Sequence, residues 1–312
     1  MGFAFLAAPV EISIDCIVGS WTLVDLSGYG VPSNATGAII RYTGGDAKVD
    51  GITFRKPGGS GSGAGTDQLP AGHGWTVAPV VNQELEVYRE HSAISVYLWG
   101  WTTSDVMFLD TPPKKTPAVG DSWEDVDCSS ECPGAIGIIY EIEDMNGWFY
   151  GVRKKGSGDG YDSASWHRWG IIGCDSNQVF QCYMALFGEV IITELFIVGY
   201  ITQGTAGLFT NRQEITPGVT GSWEEVDISA YLTGKNAAFI HVTSDLASKA
   251  WGLRPTGSSE EPYRYVLQQQ FGIVEVDADN KFEAKIEDSN VHLYLLGGDG
   301  LVKPKSQGHI IG

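Results

Sequence analysis

Apolar and polar residues alternate along much of this chain with the period of two that a half-buried β-strand requires. The clearest case is "KFEAKIEDSNVHLYLLG" (281–297), which alternates on both sides of an "EDSN" turn, as a hairpin with one buried face should. "GAIGIIYEIED" (134–144) and "NAAFIHVTS" (236–244) carry the same signal in β-branched and aromatic residues. Helical periodicity is absent except for one short turn's worth in "EEPYRYVLQQQFG" (260–272). The pattern predicts an all-β protein of short strands separated by Gly, Asn and Asp turns.

The same phrases return along the chain. "GSWTLVDLS" begins at Gly19, "GDSWEDVDCSS" at Gly120 and "GSWEEVDIS" at Gly221, so Trp21, Trp123 and Trp223 stand 102 and 100 residues apart. Each tryptophan is followed by an aspartate: Asp25, Asp127 and Asp227. An arginine strand comes next in "GITFRKPGGS", "YGVRKKGSGDG" and "WGLRPTGSSEE", with Arg55, Arg153 and Arg254 spaced by 98 and 101. Each unit closes on a strand ending in glycine: "ISVYLWGW", "ITELFIVGY" and "VHLYLLGG". A period near 100 residues is too long for solenoid repeats of roughly 20–50 and suits a complete domain. The expectation is three tandem antiparallel β-sandwich domains, jelly-roll-like, of seven or eight strands each.

The predicted boundaries follow from the breaks. Residues 1–18 form an arm or first strand, and 19–110 the first, divergent repeat with a Gly/Ser-rich loop at 57–66. A Pro-rich linker spans 111–119, the second repeat 120–203, a linker 204–220, the third repeat 221–300 and a tail 301–312. The repeated tryptophans, aspartates and arginines are expected to be structural core, each arginine pairing with an Asp or Glu of its own repeat, the aspartate after the tryptophan being one candidate, with an intersubunit contact as the alternative.

Composition narrows the partners. The chain has 312 residues and a formal net charge of −18, which repels phosphate backbones and anionic lipid. Nucleic-acid binding is therefore not expected, and because no apolar run reaches the roughly 18–20 residues that span a bilayer, membrane insertion is not expected either. Acidic strand residues raise a calcium site as a minor alternative, with a solvated strand face the simpler reading. No cofactor is expected. Five cysteines read as buried free thiols.

The order G-SW-x-x-VD-x-S, GA-x-x-x-[IV], G-[VL]-R-x-x-G-S, F-[EQ]-x-x-[IL] and Y-L-x-G resembles a β-sandwich repeat of tailed-bacteriophage virion proteins. The likeness is fullest in the third unit. It implies a non-enzymatic virion component, assembled in the host cytoplasm: a capsid decoration or head-fibre protein that binds major capsid or tail proteins and copies of itself. The apolar Phe3, Phe5 and Leu6 are the candidate particle-docking residues. A carbohydrate-binding tail adhesin is the rival. Trp99, Trp101, Trp166 and Trp169, close together near strand ends, would then stack on a host surface glycan. Exposure of these four favours the rival, and burial between domains favours the structural role.

Overall fold

The computed structural model describes residues 2–44, 50–59, 68–69, 73–143, 149–160, 163–164, 168–202, 206–234, 236–244, 249–266, 269–299 and 301–302. The Gly/Ser-rich stretch from 60 onward, Trp166 and the tail from 303 lie outside them.

Three copies of one eight-stranded design follow each other. The first comprises β1 (Phe3–Glu11), β2 (Thr22–Asp25), β3 (Gly37–Thr43), β4 (Asp50–Arg55), β5 (Gln68–Leu69), β6 (His73–Pro79), β7 (Glu84–Arg89) and β8 (Ser95–Thr102). The second runs β9 (Val106–Phe108), β10 (Trp123–Asp127), β11 (Ala135–Glu143), β12 (Phe149–Lys154), β13 (Ser163–Ala164), β14 (Arg168–Gly173), β15 (Val179–Met184) and β16 (Glu194–Thr202). The third has β17 (Ala206–Glu214), β18 (Glu224–Asp227), β19 (Leu232–Thr233), β20 (Ala237–Ser244), β21 (Lys249–Arg254), β22 (Arg264–Val266), β23 (Gln269–Glu275), β24 (Lys281–Ile286), β25 (Val291–Asp299) and β26 (Leu301–Val302).

Each copy folds into two four-stranded antiparallel sheets. The inner sheets have the orders β1-β8-β3-β6, β9-β16-β11-β14 and β17-β25-β20-β23. The outer sheets are β2-β7-β4-β5, β10-β15-β12-β13 and β18-β24-β21-β22. Strands 1-8-3-6 against 2-7-4-5 make a jelly roll, as the alternating pattern implies. In the third copy β19 and β26 add a short extra pair.

Each repeat opens upstream of its Gly-Ser-Trp phrase. β17 lies inside 204–220, expected as a linker, and pairs with β25 along the inner sheet edge. The Pro-rich stretch 111–119 continues the same edge in the second repeat, where Lys114 bridges Phe196. β9, counted above with the first repeat, pairs with β16 of the second. The prolines mask a strand here. All three opening strands bulge away from the ladder over the same interval, between Phe5 and Val10 and between Leu208 and Gln213. In the second repeat Pro112 stands in it, where Pro9 stands in the first and a missing N–H costs no ladder bond, and Pro113 ends it, its carbonyl accepting the Ile197 N–H at 3.1 Å. The chain crosses between repeats in only a few residues.

The closing glycines have a steric cause. A Cβ on Gly100 would sit 2.0 Å from the Ala4 carbonyl oxygen, on Gly199 2.4 Å from that of Met107, and on Gly297 2.1 Å from that of Gly207. In each repeat the opening strand passes over the end of the last strand, and only glycine leaves room.

The three inner sheets face one another. The equivalent edge strands β6, β14 and β23 touch pairwise. Along β3, Ala38, Ile40 and Tyr42 pack inside the first sandwich, whereas Ile39 joins the core shared with the other two repeats. The middle inner strands are therefore buried on both faces, and "GAIIRY" and "AAFIHV" read as near-continuous apolar runs. Phe3 closes the ring: its ring lies 5.0 Å from Phe239 of the third repeat and its N–H donates to Asp299 Oδ2 at 3.1 Å. The molecule is an approximate three-fold ring within one chain.

Candidate functional site

The repeated tryptophans, expected in the core, lie half-buried on the outward face of the outer sheets. Register is the cause. Val24, Val126 and Val226 point into the sandwiches, and a tryptophan three positions earlier on a strand must face the other way. Each ring is covered by the arginine of its own repeat, the guanidinium carbon lying 3.8 Å (Arg55–Trp21), 4.1 Å (Arg153–Trp123) and 4.2 Å (Arg254–Trp223) from the ring centre.

Arg55 and Arg254 pair with a glutamate of their own repeat, as expected, and the aspartate after the tryptophan is not that partner. The Nε atoms of Arg55, Arg153 and Arg254 donate across the sheet to Glu86 at 2.5 Å, Gln181 at 2.9 Å and Glu283 at 2.5 Å. Arg153 and Arg254 reach on to the carbonyls of Asp159 and Glu260, at 2.7 and 2.8 Å, and so pin the loop that follows. Gly58, Gly156 and Gly257 take left-handed φ of 68°, 83° and 73° at the turn of that loop, which accounts for the glycine in R-x-x-G. Asp25, Asp127 and Asp227 each accept the N–H of the serine two residues on at 2.8 Å. This turn at the strand end explains VD-x-S. Bonds from Ser27 and Ser129 hold the Asp25 and Asp127 carboxyls below their ordinary range. The nine repeated residues thus staple each domain from outside. For the calcium alternative, no three metal-ligating side chains converge among the described residues.

The inner faces carry different chemistry. Positions 41, 141 and 241 are equivalent, pairing with Trp75, Trp169 and Phe271 of the neighbouring strands. They hold an arginine, a glutamate and a histidine. His241 is fully buried and stacked 4.6 Å from Phe271. Arg212 NH1 lies 3.2 Å from its Nδ1, and Gln269 Oε1 lies 3.3 Å from its Nε2. Arginine can only donate, so the proton of neutral His241 belongs on Nε2. Gln269 passes the polarity on, donating to the Tyr150 carbonyl at 3.2 Å, while its own carbonyl accepts from Arg168 Nε at 3.1 Å. Burial, then the Arg212 charge, pulls the His241 pKa well below 6.5. Arg168 is 3% exposed, and burial pulls its pKa down as well. The network joins repeats 2 and 3, and the Tyr42 hydroxyl of repeat 1 lies near enough to act on the Arg168 charge.

The junctions between consecutive repeats are built alike. The loop after the arginine strand meets the opening strand of the next repeat. Lys56 pairs with Asp110 at the first junction. At the second, Lys154 Nζ donates to the Leu208 carbonyl at 3.2 Å, and Asn211 Oδ1 accepts from Ser157 Oγ (3.1 Å) and Gly158 N (2.9 Å).

Of the glycan-stacking candidates, Trp99 is 2% and Trp169 8% exposed, and Trp101 packs beside the first sandwich core. Trp99 lies edge-on to Trp75 at 4.7 Å, and Trp169 lines a cavity shared by repeats 1 and 2. The structure brings these two between domains and offers neither as a platform. Among the docking candidates, Phe3 is fully buried in the ring closure, so it is not a surface anchor, while Phe5 and Leu6 are half-buried beside repeat 3. All five cysteines are buried and free, and burial pushes the Cys174 thiol up to about 12.

No family model matches this chain, and no curated protein matches it.

Proposed function

We propose that this chain is a structural protein of a tailed-phage virion, a non-enzymatic decoration or fibre-type component that binds the capsid shell or tail. The closed ring of three equivalent jelly rolls carries this reading. Such a ring presents three near-copies of each surface at about 120° to one another, and so fits a position where three identical neighbours meet in a protein lattice. The use of Trp99 and Trp169 between domains supports a scaffold over an adhesin. The Trp–Arg staples give each jelly roll a stiff outer sheet, suited to a surface that must keep its shape. Major capsid or tail subunits, and copies of the chain itself, are the partners.

Mixing the purified full chain with preformed empty capsids and counting bound copies by cryo-electron microscopy tests this directly. The expected result is one chain at each local three-fold position. Absence of binding to shells and tails, with saturable binding to a host glycan on an array, overturns it.

A further inference from the structure

The ring has three junctions, and the third departs from the other two. By register with the closing strands, Phe5 corresponds to Leu208, which places Ala8 and Pro9 where Asn211 and Arg212 stand. Counting from the arginines, Pro255 occupies the place of Lys56 and Lys154, while Ser258, Ser259 and Glu260 take the places of Ser157, Gly158 and Asp159. The receiving loop is kept. Glu260 N donates to Ser258 Oγ at 3.1 Å just as Asp159 N donates to Ser157 Oγ at 3.0 Å. The groups that fill it are missing. Ser157 is buried under Asn211, whereas Ser258 is half-exposed, and the Ser259 N–H makes no hydrogen bond to a described residue.

The consequence is a cleft of about 390 Å³ between repeats 3 and 1. This lies within the usual range of roughly 300–1,000 Å³ for small-ligand sites. Phe5, Leu6 and Trp99 supply apolar wall, and Ser258, Glu260 and Glu275 polar wall. Glu275 marks a further difference. Its counterpart at the second junction is Gly173, where a Cβ would meet Lys154 Cδ at 2.8 Å, so glycine there lets the lysine stem pass. At the third junction no lysine passes, and a carboxylate stands in the wall instead.

We propose that this cleft binds a lysine-bearing peptide, which supplies the ammonium and the carbonyl that the chain supplies for itself at the second junction. The ligand ammonium takes the place of Lys154 Nζ, beside the Phe5 carbonyl and the Glu275 carboxylate. A ligand carbonyl takes the place of Asn211 Oδ1 and accepts from Ser258 Oγ and Ser259 N. The acidic lining selects the cation, and the aliphatic lysine stem lies along Phe5 and Leu6. The assignment rests on the comparison of junctions alone, so it stands or falls separately from the virion reading.

The test titrates the full ¹⁵N-labelled chain with acetyl-Gly-Lys-Gly-amide and with the same peptide carrying norleucine for lysine. The lysine peptide is expected to shift the Ser258 and Ser259 amides and to bind at least about tenfold more tightly than its neutral analogue. Glu275→Gln should remove most of that preference. The double variant P255K/A8N puts back the groups found at the second junction and should abolish the shifts. Should that variant fail to fold, Glu275→Gln decides. Equal binding of the two peptides, shifts centred elsewhere or no shifts at all would overturn the proposal, as would unchanged binding by both variants.

Discussion

Position 21 on the outer sheet is tryptophan in all three repeats and position 55 arginine in all three. On the inner sheet the equivalent positions 41, 141 and 241 hold Arg, Glu and His. The two faces solve different problems. On the outer sheet each repeat meets only itself, so one solution serves three times: a ring, a guanidinium over it and a carboxylate or amide to steer the guanidinium. On the inner sheet the repeats meet one another. An arginine buried at each of these positions would need a compensating partner of its own, and a buried charge without one is costly. A homotrimer has to accept that constraint. A single chain does not, and complementary groups such as His241, Gln269 and Arg168 take its place.

The comparison is broken most severely by cutting the ring. Residues 105–202 alone contain a complete jelly roll but would expose the inner face carrying Ile139, Trp169 and Ile171. That fragment is expected to be molten, aggregated or self-trimerised. Light scattering and a two-dimensional NMR spectrum check this, and a well-dispersed monomer would show that the inner faces contribute little.

Within one repeat the faces should also differ in energy. Trp75→Ala removes a side chain 2% exposed between domains and is expected to cost about 3–5 kcal/mol. Trp21→Ala removes a half-buried ring and its cation–π contact and should cost about 1–2 kcal/mol. Chemical denaturation of the two variants under identical conditions measures the difference. Equal losses would erase the distinction.

The smallest effect sharpens the inner-face network. His241 titrates lower in the folded chain than unfolded, so the unfolded state binds the extra proton as pH falls. The stability it confers is complete above about 6.5 and is lost below that value, at no more than about 1.4 kcal/mol per pH unit. Protonation would also turn an Nδ1–H towards the Arg212 guanidinium. Urea midpoints at pH 7.5 and 5.5 should differ in the wild type and converge in His241→Gln. Parallel pH curves for the two proteins would remove His241 as the source.

Much of this was open to reading before any fold was known. The spacing of Trp21, Trp123 and Trp223 marked a repeat, and the alternation in 281–297 marked half-buried strands. The direction of the tryptophans is legible too, since W-x-x-V puts the two side chains on opposite faces of a strand. Other features had no local signal. Pro112 and Pro113 look like a linker unless the bulge that ends at them is known, and that bulge is defined by β16, some eighty residues away. Trp99 and Trp169 have the same local pattern whether they meet a sugar or a neighbouring domain.

Periodicity, turn residues and internal repetition settle the class of fold and the number of units because they act over a few residues or recur in register along the chain. Ring closure, the pairing of Arg168 with Gln269 and the empty junction at Ala8 and Pro255 depend on side chains a hundred or more residues apart. Those contacts form only when three domains have already folded and their inner faces exclude water together. Their energies depend on burial and mutual geometry, which no stretch of local sequence carries.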